Sequence, residues 1–226
     1  MPTVLITGAN RGIGLEFVRQ YAADGWSVIA CCRKPSEAKA LKALEGDIRI
    51  EKLDVASDVS IGALAKTLKG EAIDLLINNA GIYGGKQDFG QTDAKDWLEV
   101  LQVNCIAPLH MLEAFAGHLA AGKGRKVLSI TSKMGSIGDG PSGGSYIYRS
   151  SKAALNMTMA CAAKDLKRHG IVVAVAHPGW VATDMGGKAA PVTPKASVAG
   201  LRKLVAGLKP ADSGKFFDYG GGELPW

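Results

Sequence analysis

The alternation of short apolar runs with helical patterns is the feature that most constrains how this chain can fold. Runs rich in β-branched residues predict strands near residues 3–7, 27–32, 48–53, 73–78, 126–131, 171–176 and 215–218. The segments between them predict helices near residues 12–24, 36–45, 58–69, 93–121, 147–168 and 195–208. Alternation of this kind favours right-handed βαβ crossovers and a parallel sheet with helices on both faces.

The strands themselves support a parallel sheet. Residues 172–176 form a continuous apolar run, as expected where both faces of a strand are covered. No Pro/Ser-rich linker or internal repeat divides the chain. The predicted fold class is therefore α/β, with a single domain over residues 1–226 and a doubly wound, seven-stranded parallel sheet.

Composition and charge exclude several other classes of protein. With 47% hydrophobic and 21% charged residues, the chain has the composition of a folded domain, and its apolar runs are too short to span a bilayer. The four cysteines and four histidines lack metal-ligand spacing, and the net charge of +6 is scattered rather than gathered in a basic stripe. We expect a cytoplasmic protein with reduced thiols, and no metal, membrane or nucleic-acid partner.

The first strand is followed by a glycine-rich turn. Ligands of doubly wound sheets bind beyond the carboxyl ends of the strands, so this turn is a place to look for a site. It reads Gly8-Ala9-Asn10-Arg11-Gly12-Ile13-Gly14 and leads into a helix. Glycines here let backbone N–H groups approach a pyrophosphate, whose charge the helix N-terminus favours. The G-x-x-x-G-x-G spacing differs from G-x-G-x-x-G, and a plain glycine turn is the alternative, but the strand–turn–helix setting favours a dinucleotide.

The end of the second strand indicates which dinucleotide. An acidic residue there would accept the ribose 2′-hydroxyl of NAD, whereas this chain has Cys31-Cys32-Arg33-Lys34. Arg33 is suited to a 2′-phosphate, and Arg11 adds a second positive charge. NADP(H) is therefore predicted in preference to NAD(H), the alternative being that Arg33 is simply a solvated surface residue.

Two further strand ends carry weaker signals. After the third strand, Asp54 is suited to accept from an adenine amino group or, alternatively, to cap the helix that begins near Asp58. After the fourth strand, the small residues of Asn78-Asn79-Ala80-Gly81 allow a flat ligand to come close, although a turn would have the same composition.

The predicted chemical centre is a tyrosine and a lysine on one helix. Tyr148 and Lys152 are four residues apart and lie on one helical face, so that the lysine cation can stabilise a phenolate. Tyr146 is six residues from the lysine and would face elsewhere. Ser132 adds a hydroxyl at the end of the fifth strand. Without a histidine base or a G-x-S-x-G elbow, this group favours carbonyl reduction over ester hydrolysis.

Together these motifs resemble the short-chain dehydrogenase/reductase family along nearly the whole chain. In order, they are Thr7-Gly8-x-x-x-Gly12-x-Gly14, Asp54, Asn78-Asn79-Ala80-Gly81, Asn104, Ser132, Tyr148-x-x-x-Lys152 and Pro178-Gly179-x-x-x-Thr183. The resemblance implies a Rossmann fold, with Tyr148 as proton donor and Ser132 orienting the carbonyl. It also implies that Lys152 lowers the tyrosine pKa and binds the nicotinamide ribose, and that Asn104 holds a water in the proton relay.

The same resemblance implies the residues that would hold the cofactor. Thr183 and the backbone of Val181 would bind the nicotinamide carboxamide. The full expected set is Gly8, Asn10, Arg11, Gly12, Ile13, Gly14, Arg33, Asp54, Val55, Asn79, Ala80, Gly81, Tyr148, Lys152, Pro178, Gly179, Val181 and Thr183. From its residue type alone, Asn104 would instead be read as a helix-interior polar residue satisfied locally.

Within the family, the chain is similar to the C-factor and Sniffer-like carbonyl reductases in its glycine loop, its 177–181 segment and its C-terminal segment. It departs from the commoner pattern by an insertion at residues 138–144, which makes Ser136 a lesser candidate for the serine role. Little chain follows Thr183 before the next helix, so we expect an open substrate cleft, with Tyr83, Trp180 and Met185 as candidate lining residues.

The function expected from these features is hydride transfer between NADPH and a small-molecule aldehyde or ketone. The alternative is a dinucleotide-binding signalling or regulatory protein of the C-factor type with little turnover. The apolar surface of the helices near 93–121 and 147–168 predicts a homodimer or homotetramer, the alternative being that this surface is buried within the monomer.

Overall fold

The strands form one parallel sheet, as predicted. In a computed structural model that describes residues 1–140 and 142–226, the sheet has the order β3-β2-β1-β4-β5-β6-β7, and every neighbouring pair is parallel. The strands are β1 (Thr3–Thr7), β2 (Ser27–Cys32), β3 (Ile48–Lys52), β4 (Leu75–Asn78), β5 (Lys126–Ile130), β6 (Val172–His177) and β7 (Phe216–Asp218). The strand order reverses between β1 and β4, which places a topological switch point beside the end of β1.

Helices connect the strands on both sides of the sheet. They are α1 (Gly12–Ala23), α2 (Lys39–Lys42), α3 (Asp58–Thr67), α4 (Ala94–Leu101), α5 (Ala107–Ala121), α6 (Tyr146–Leu166) and α7 (Pro194–Gly207). The doubly wound α/β class and the Rossmann fold are thereby confirmed.

The helix predicted near residues 36–45 is wrong in extent. The structure has a 3₁₀ turn at Pro35–Glu37 and then only the single turn of α2. Ala38 and Leu41 are the buried side chains of this stretch within the described residues. Because most helical stability comes from packing an apolar face, two such contacts support little more than one turn.

The helix predicted near residues 93–121 is interrupted. A π-helical segment, Gln102–Ile106, separates α4 from α5, and Ala107 N–H donates to the carbonyl of Gln102. Pro108 follows at the start of α5 and has no N–H, so the regular α-helical ladder cannot pass through this point. Interruptions of this kind are frequent at functional sites.

The core is divided into two layers by the sheet. Val4 and Ile6 of β1 point to the layer beneath α1 and α7, where Phe17 and Leu201 are buried. Leu5 points to the opposite layer, which is filled by side chains of α3, α5 and α6. Alternate residues of one strand serve the two layers, which is why the strands read as continuous apolar runs.

Neither a bilayer-crossing helix nor a metal-ligand cluster occurs in residues 1–140 and 142–226. In that part of the chain, none of the helices combines the length and the apolar character needed to cross a bilayer. The same residues contain no cluster of three or more His, Cys, Asp or Glu side chains arranged to hold a metal ion.

Candidate active site

The glycine loop is fastened to the segment after β4 by a buried hydroxyl. Thr7 is 1% exposed, and its Oγ1 accepts hydrogen bonds of 3.0 Å from both Asn79 N–H and Ala80 N–H. The Asn79 amide in turn donates to the carbonyls of Thr7 and Gly8, at 2.9 and 3.1 Å. Asn79, expected to contact a cofactor, therefore has its amide committed to bracing the loop. This role of Thr7 is not among the sequence predictions, although a hydroxyl side chain at the end of a buried strand is a signal that could indicate it.

Two glycines of this loop are required by close packing. Gly8 has φ +64°, and a Cβ there would lie 2.9 Å from the Cα of Ala80. A Cβ on Gly14 would lie 2.2 Å from the Gly8 carbonyl oxygen and 2.6 Å from the Asn79 amide nitrogen. The loop is thus pressed against both the segment after β4 and the first turn of α1, a packing that excludes larger residues.

The start of α1 offers unpartnered backbone donors. Arg11 occupies the N-cap position, and no side chain within the described residues caps the helix or places a carboxylate in its first turn. Asn10 and Arg11 are exposed, whereas Ile13 packs partly against the core. A helix N-terminus of this kind favours an anion such as a phosphate group.

The two candidate arginines are placed differently. The Arg11 guanidinium donates to the Asp184 carboxylate at 2.8 Å, with both side chains largely exposed. Arg33 is exposed at the end of β2 and makes no side-chain hydrogen bond or ion pair with the residues that the structure describes. Exposed ion pairs contribute only about 0–1 kcal/mol, so the Arg11–Asp184 pair is easily exchanged for another partner.

Asp54 does not cap α3. Its Oδ1 accepts from Ala56 N–H at 3.1 Å in a turn, while Ser57 caps the helix by accepting from Ser60 N–H. The capping interpretation is therefore wrong for Asp54. Its neighbour Val55 lines the same small crevice as Ala80, beside the switch point.

Asn104 links three elements. It is fully buried in the π-helical segment, and its amide exchanges two hydrogen bonds with the Ile82 backbone, at 2.9 and 2.8 Å. It also donates to the Ser151 hydroxyl of α6 at 3.0 Å. A Cβ on Gly81 would lie 3.2 Å from the Asn104 Oδ1, so this glycine permits the approach. The partners of Asn104 lie on other elements rather than within its own helix.

Ser132, Tyr148 and Lys152 come together at the carboxyl end of β5. Ser132 is buried two residues after the strand, and Tyr148 lies in the first turn of α6, with Lys152 one turn further on. Lys152 is 4% exposed, donates to the Ile130 carbonyl at 2.9 Å and lies 5.7 Å from the centre of the Tyr148 ring. Tyr148 is half-buried, whereas the other two side chains are buried, and the three together are the chemical core of the site.

The residues around the trio perturb its pKa values. Burial raises the pKa of Tyr148 to about 12, opposed by the Ser132 hydroxyl and reinforced by Tyr83. Burial also lowers the pKa of Lys152 to about 8, opposed by Cys105. The expectation that Lys152 lowers the pKa of Tyr148 is therefore not met by the protein groups, because desolvation of the phenolate outweighs the other effects.

Ser136, the lesser candidate for the serine role, is committed elsewhere. Its hydroxyl donates to the Pro225 carbonyl at 2.7 Å and accepts from Asp139 N–H at 3.0 Å. Of the insertion at residues 138–144, Pro141 lies outside the described residues. The C-terminal segment contacts this region, where Gly138 N–H donates to the backbone oxygen of Trp226 at 2.6 Å.

The segment after β6 reaches back to the glycine loop. A Cβ on Gly12 would lie 3.3 Å from the Thr183 methyl group. Pro178 is held by the Ser197 hydroxyl, which donates to its carbonyl at 2.6 Å, and Val181 pairs with Val192. Gly179 (φ +85°) turns the chain between them. The structure therefore brings the predicted 178–183 motif next to the glycine loop.

The cleft is less open than expected on one side. The Tyr83 ring, from the segment after β4, lies against Tyr148 with the ring centres 4.8 Å apart, and its hydroxyl bonds the Ser145 hydroxyl at 2.7 Å. On the other side, Trp180 and Met185 are 56% and 51% exposed. The segment after Thr183 is short, as predicted, and Tyr83 covers the tyrosine instead.

Known proteins resemble this chain in both sequence and structure. Residues 2–192 match the family described as short chain dehydrogenase. The C-signal protein of Myxococcus xanthus is 44% identical over 154 residues, covering 68% of this chain and 93% of that protein.

Two solved structures cover all of this chain. One, from chicken fatty liver, is described as NADPH bound carbonyl reductase and has a TM-score of 0.91 at 37% identity, with 99% of its own chain covered. The other is the carbonyl reductase Sniffer of D. melanogaster, with a TM-score of 0.93 at 30% identity and 100% of its chain covered. These likenesses confirm the narrower resemblance to C-factor and Sniffer-like proteins, and the chain belongs to the short-chain dehydrogenase/reductase family.

Proposed function

We propose that this protein is an NADPH-dependent carbonyl reductase. The observation that carries the proposal is the Ser132–Tyr148–Lys152 trio, with Ser132 and Lys152 buried and Tyr148 half-buried, on the same carboxyl edge of the sheet as the glycine loop at the switch point. The similarity to carbonyl reductases, one of them NADPH bound, supports the same assignment.

The residues at the switch point fit a dinucleotide phosphate. Gly8 and Gly14 leave no room for a side chain, and the uncapped N–H groups at the start of α1 suit a pyrophosphate. Arg33 would hold a 2′-phosphate at the end of β2, while Thr183 and Val181 would hold the carboxamide end. Arg11 would contribute only after leaving Asp184. When bound, NADPH supplies the hydride that reduces the carbonyl carbon of the substrate.

Tyr148 acts as the proton donor in this proposal. Because its pKa is raised to about 12, the phenol remains protonated at neutral pH and can donate its proton to the developing alkoxide. The Ser132 hydroxyl, buried beside it, donates a hydrogen bond to the same oxygen and orients it. Lys152 is mostly protonated at pH 7, and its charge, 5.7 Å from the centre of the Tyr148 ring, would favour the phenolate during proton transfer, even though burial keeps the pKa of the resting phenol high.

Asn104 would take part in returning the proton through its backbone. Its side-chain amide is fully used by Ile82 and Ser151. Pro108, four residues later, has no N–H, so the Asn104 carbonyl lacks the donor that an α-helix would supply. That carbonyl is suited to hold a water between Lys152 and solvent.

The substrate proposed is a bulky, apolar aldehyde or ketone. Phe89, Ile137, Trp180 and Met185 follow β4, β5 and β6 at the carboxyl edge of the sheet and are 88%, 77%, 56% and 51% exposed. Exposed apolar side chains at the edge where ligands of such sheets bind are suited to contact an apolar substrate. We expect kcat/KM to rise about fourfold for each methylene that this surface covers.

The proposed assembly is a homodimer, or a homotetramer that contains it. Leu98 and Met157 are 68% and 66% exposed on α4 and α6, and Ile106, at the end of the π-helical segment, is 39% exposed. A second copy of the same face would cover these side chains by two-fold symmetry.

A dinucleotide-binding regulatory protein with little turnover is the second candidate. The 44% identity to a protein named C-signal favours it. The complete trio favours the enzyme, because a purely regulatory site has no need of a desolvated lysine beside a tyrosine.

Steady-state NADPH oxidation with a panel of carbonyls separates the two candidates. Tyr148→Phe should lower kcat about 10²- to 10⁴-fold, the usual contribution of a general acid. Tyr146→Phe is the matched control, since Tyr146 is exposed on the same helix and should retain parent activity. Equal rates for the parent and Tyr148→Phe would overturn the mechanism. A parent protein that binds NADPH but reduces no carbonyl would favour the regulatory role.

A further inference from the structure

We infer that Gln87 is a positioning residue that fixes the start of α6 and hence the Tyr148 side chain. The role rests on the proposed function, in which Tyr148 donates the proton. The contacts that support it are independent of that function.

Gln87 is a buried amide in an exposed segment. It is 6% exposed, while its neighbours Lys86, Asp88 and Phe89 are all exposed. Burying a polar side chain is costly unless its hydrogen bonds are formed, so a buried glutamine with exposed neighbours must make strong contacts.

Both ends of the Gln87 amide are used. Its Nε2 donates to the Tyr83 carbonyl at 2.7 Å, which keeps the amide within its own segment. Its Oε1 accepts from Tyr148 N–H, also at 2.7 Å. The amide therefore joins the segment after β4 to the backbone of the proposed proton donor.

The first turn of α6 needs a cap from outside. The first N–H groups of any helix have no partner within it. Ser145, at the N-cap position, has φ +51°, and its side chain does not cap the helix but bonds the Tyr83 hydroxyl at 2.7 Å. Gln87 supplies the missing acceptor, and its backbone carbonyl accepts from Tyr146 N–H at 3.5 Å.

The segment after β4 therefore positions both the backbone and the ring of the catalytic tyrosine. Gln87 holds the Tyr148 backbone, and the Tyr83 ring lies 4.8 Å from the Tyr148 ring. Displacement of a reacting group by about 1 Å can cost about 10²-fold in rate. Loss of the Gln87 contact should therefore reduce kcat more than it weakens binding of NADPH, which the glycine loop holds.

Three variants test the role. Gln87→Met keeps the length of the side chain without its polar atoms, Gln87→Glu keeps an acceptor for Tyr148 N–H, and Gln91→Met changes an exposed glutamine of the same segment. We expect Gln87→Met to lower kcat by roughly ten- to a hundredfold, with the KM for NADPH changed by less than about threefold. On a logarithmic scale, the kcat of Gln87→Glu should lie at least a third of the way from that of Gln87→Met to that of the parent. The kcat of Gln91→Met should match the parent.

Amide hydrogen exchange gives a readout that does not depend on turnover. In the parent, exchange at Tyr148 N–H should be slowed by its bond to Gln87, and Gln87→Met should speed it at least about tenfold. Gln87→Glu and Gln91→Met should leave it close to the parent rate.

The outcomes separate the two proposals. If exchange at Tyr148 N–H is fast in Gln87→Met but the parent reduces no carbonyl, the proposed reductase function is refuted, while the role of Gln87 in holding the Tyr148 backbone is supported. Unchanged exchange or an unchanged kcat in a folded Gln87→Met would overturn the positioning role. If Gln87→Met does not fold, failure of the folded Gln87→Glu to keep slow exchange at Tyr148 overturns it instead.

Discussion

Adding one methyl group at Gly14 should damage the site more than any gain in helix stability can offset. Gly14 lies in the first turn of α1, where alanine would normally stabilise a helix by about 1 kcal/mol. Its Cβ, however, would lie 2.2 Å from the Gly8 carbonyl oxygen, whereas ordinary contact begins at 3.4 Å. The loop or the helix must therefore move by about 1 Å, which typically costs about 1–3 kcal/mol in a packed region.

The same displacement should weaken the proposed cofactor site. A hydrogen bond between a backbone N–H and a charged phosphate contributes about 1.5–3 kcal/mol, so loss of one such bond weakens NADPH binding about ten- to a hundredfold. The change is measured by titrating NADPH fluorescence against Gly14→Ala, together with urea unfolding of the same variant.

Gly62→Ala is the matched control for Gly14→Ala. Gly62 is also in a helix, α3, but a Cβ there would meet nothing within 4 Å. It should gain about 0.4–1 kcal/mol in unfolding free energy and bind NADPH like the parent. The reasoning would be refuted if Gly14→Ala gained stability to the same extent as Gly62→Ala and bound NADPH unchanged.

Three other changes have defined outcomes. Arg33→Ala should weaken NADPH binding by about ten- to a hundredfold and leave NADH binding nearly unchanged, measured by the same titration; equal losses for both would remove Arg33 from the 2′-phosphate site. The folded-state pKa of Lys152 is lowered from 10.5 to about 8. Burying the charged lysine therefore lowers the free energy of unfolding by its full amount below pH 8, and this loss disappears above pH 10.5. Lys152→Met should therefore unfold in urea with up to about 3 kcal/mol more stability than the parent at pH 7 and with a smaller advantage at pH 9.5, whereas a constant difference would contradict the lowered pKa. Met157→Lys should convert the proposed dimer to a monomer in light scattering, and a monomeric parent at micromolar concentration would refute the interface.

The α/β class and the positions of the strands could be predicted from sequence because they depend on local patterns. The seven strands lie close to their predicted positions, since continuous apolar runs reveal strands that are buried on both faces. The helix predicted around α2 is too long, because local helical propensity does not include the packing that a helix needs.

The site was predictable in its members and less so in their contacts. Tyr148 and Lys152 were placed on one face by helical spacing alone. The pairing of Arg11 with Asp184 joins residues 173 positions apart, and the contact of Asn104 with Ser151 joins residues 47 apart. No local pattern encodes such distances, because they depend on how the segments after different strands meet.

By itself, the sequence determined a doubly wound sheet, a glycine loop after its first strand and a tyrosine–lysine pair at the start of a long helix. Tertiary structure alone decided how these parts are held and what burial does to their chemistry. Desolvation raises the pKa of Tyr148 and lowers that of Lys152, and it acts only once the chain has excluded water from both. Likewise, the hydrogen bond between Gln87 and Tyr148 exists only because folding brings an exposed segment onto the first turn of a helix 61 residues away.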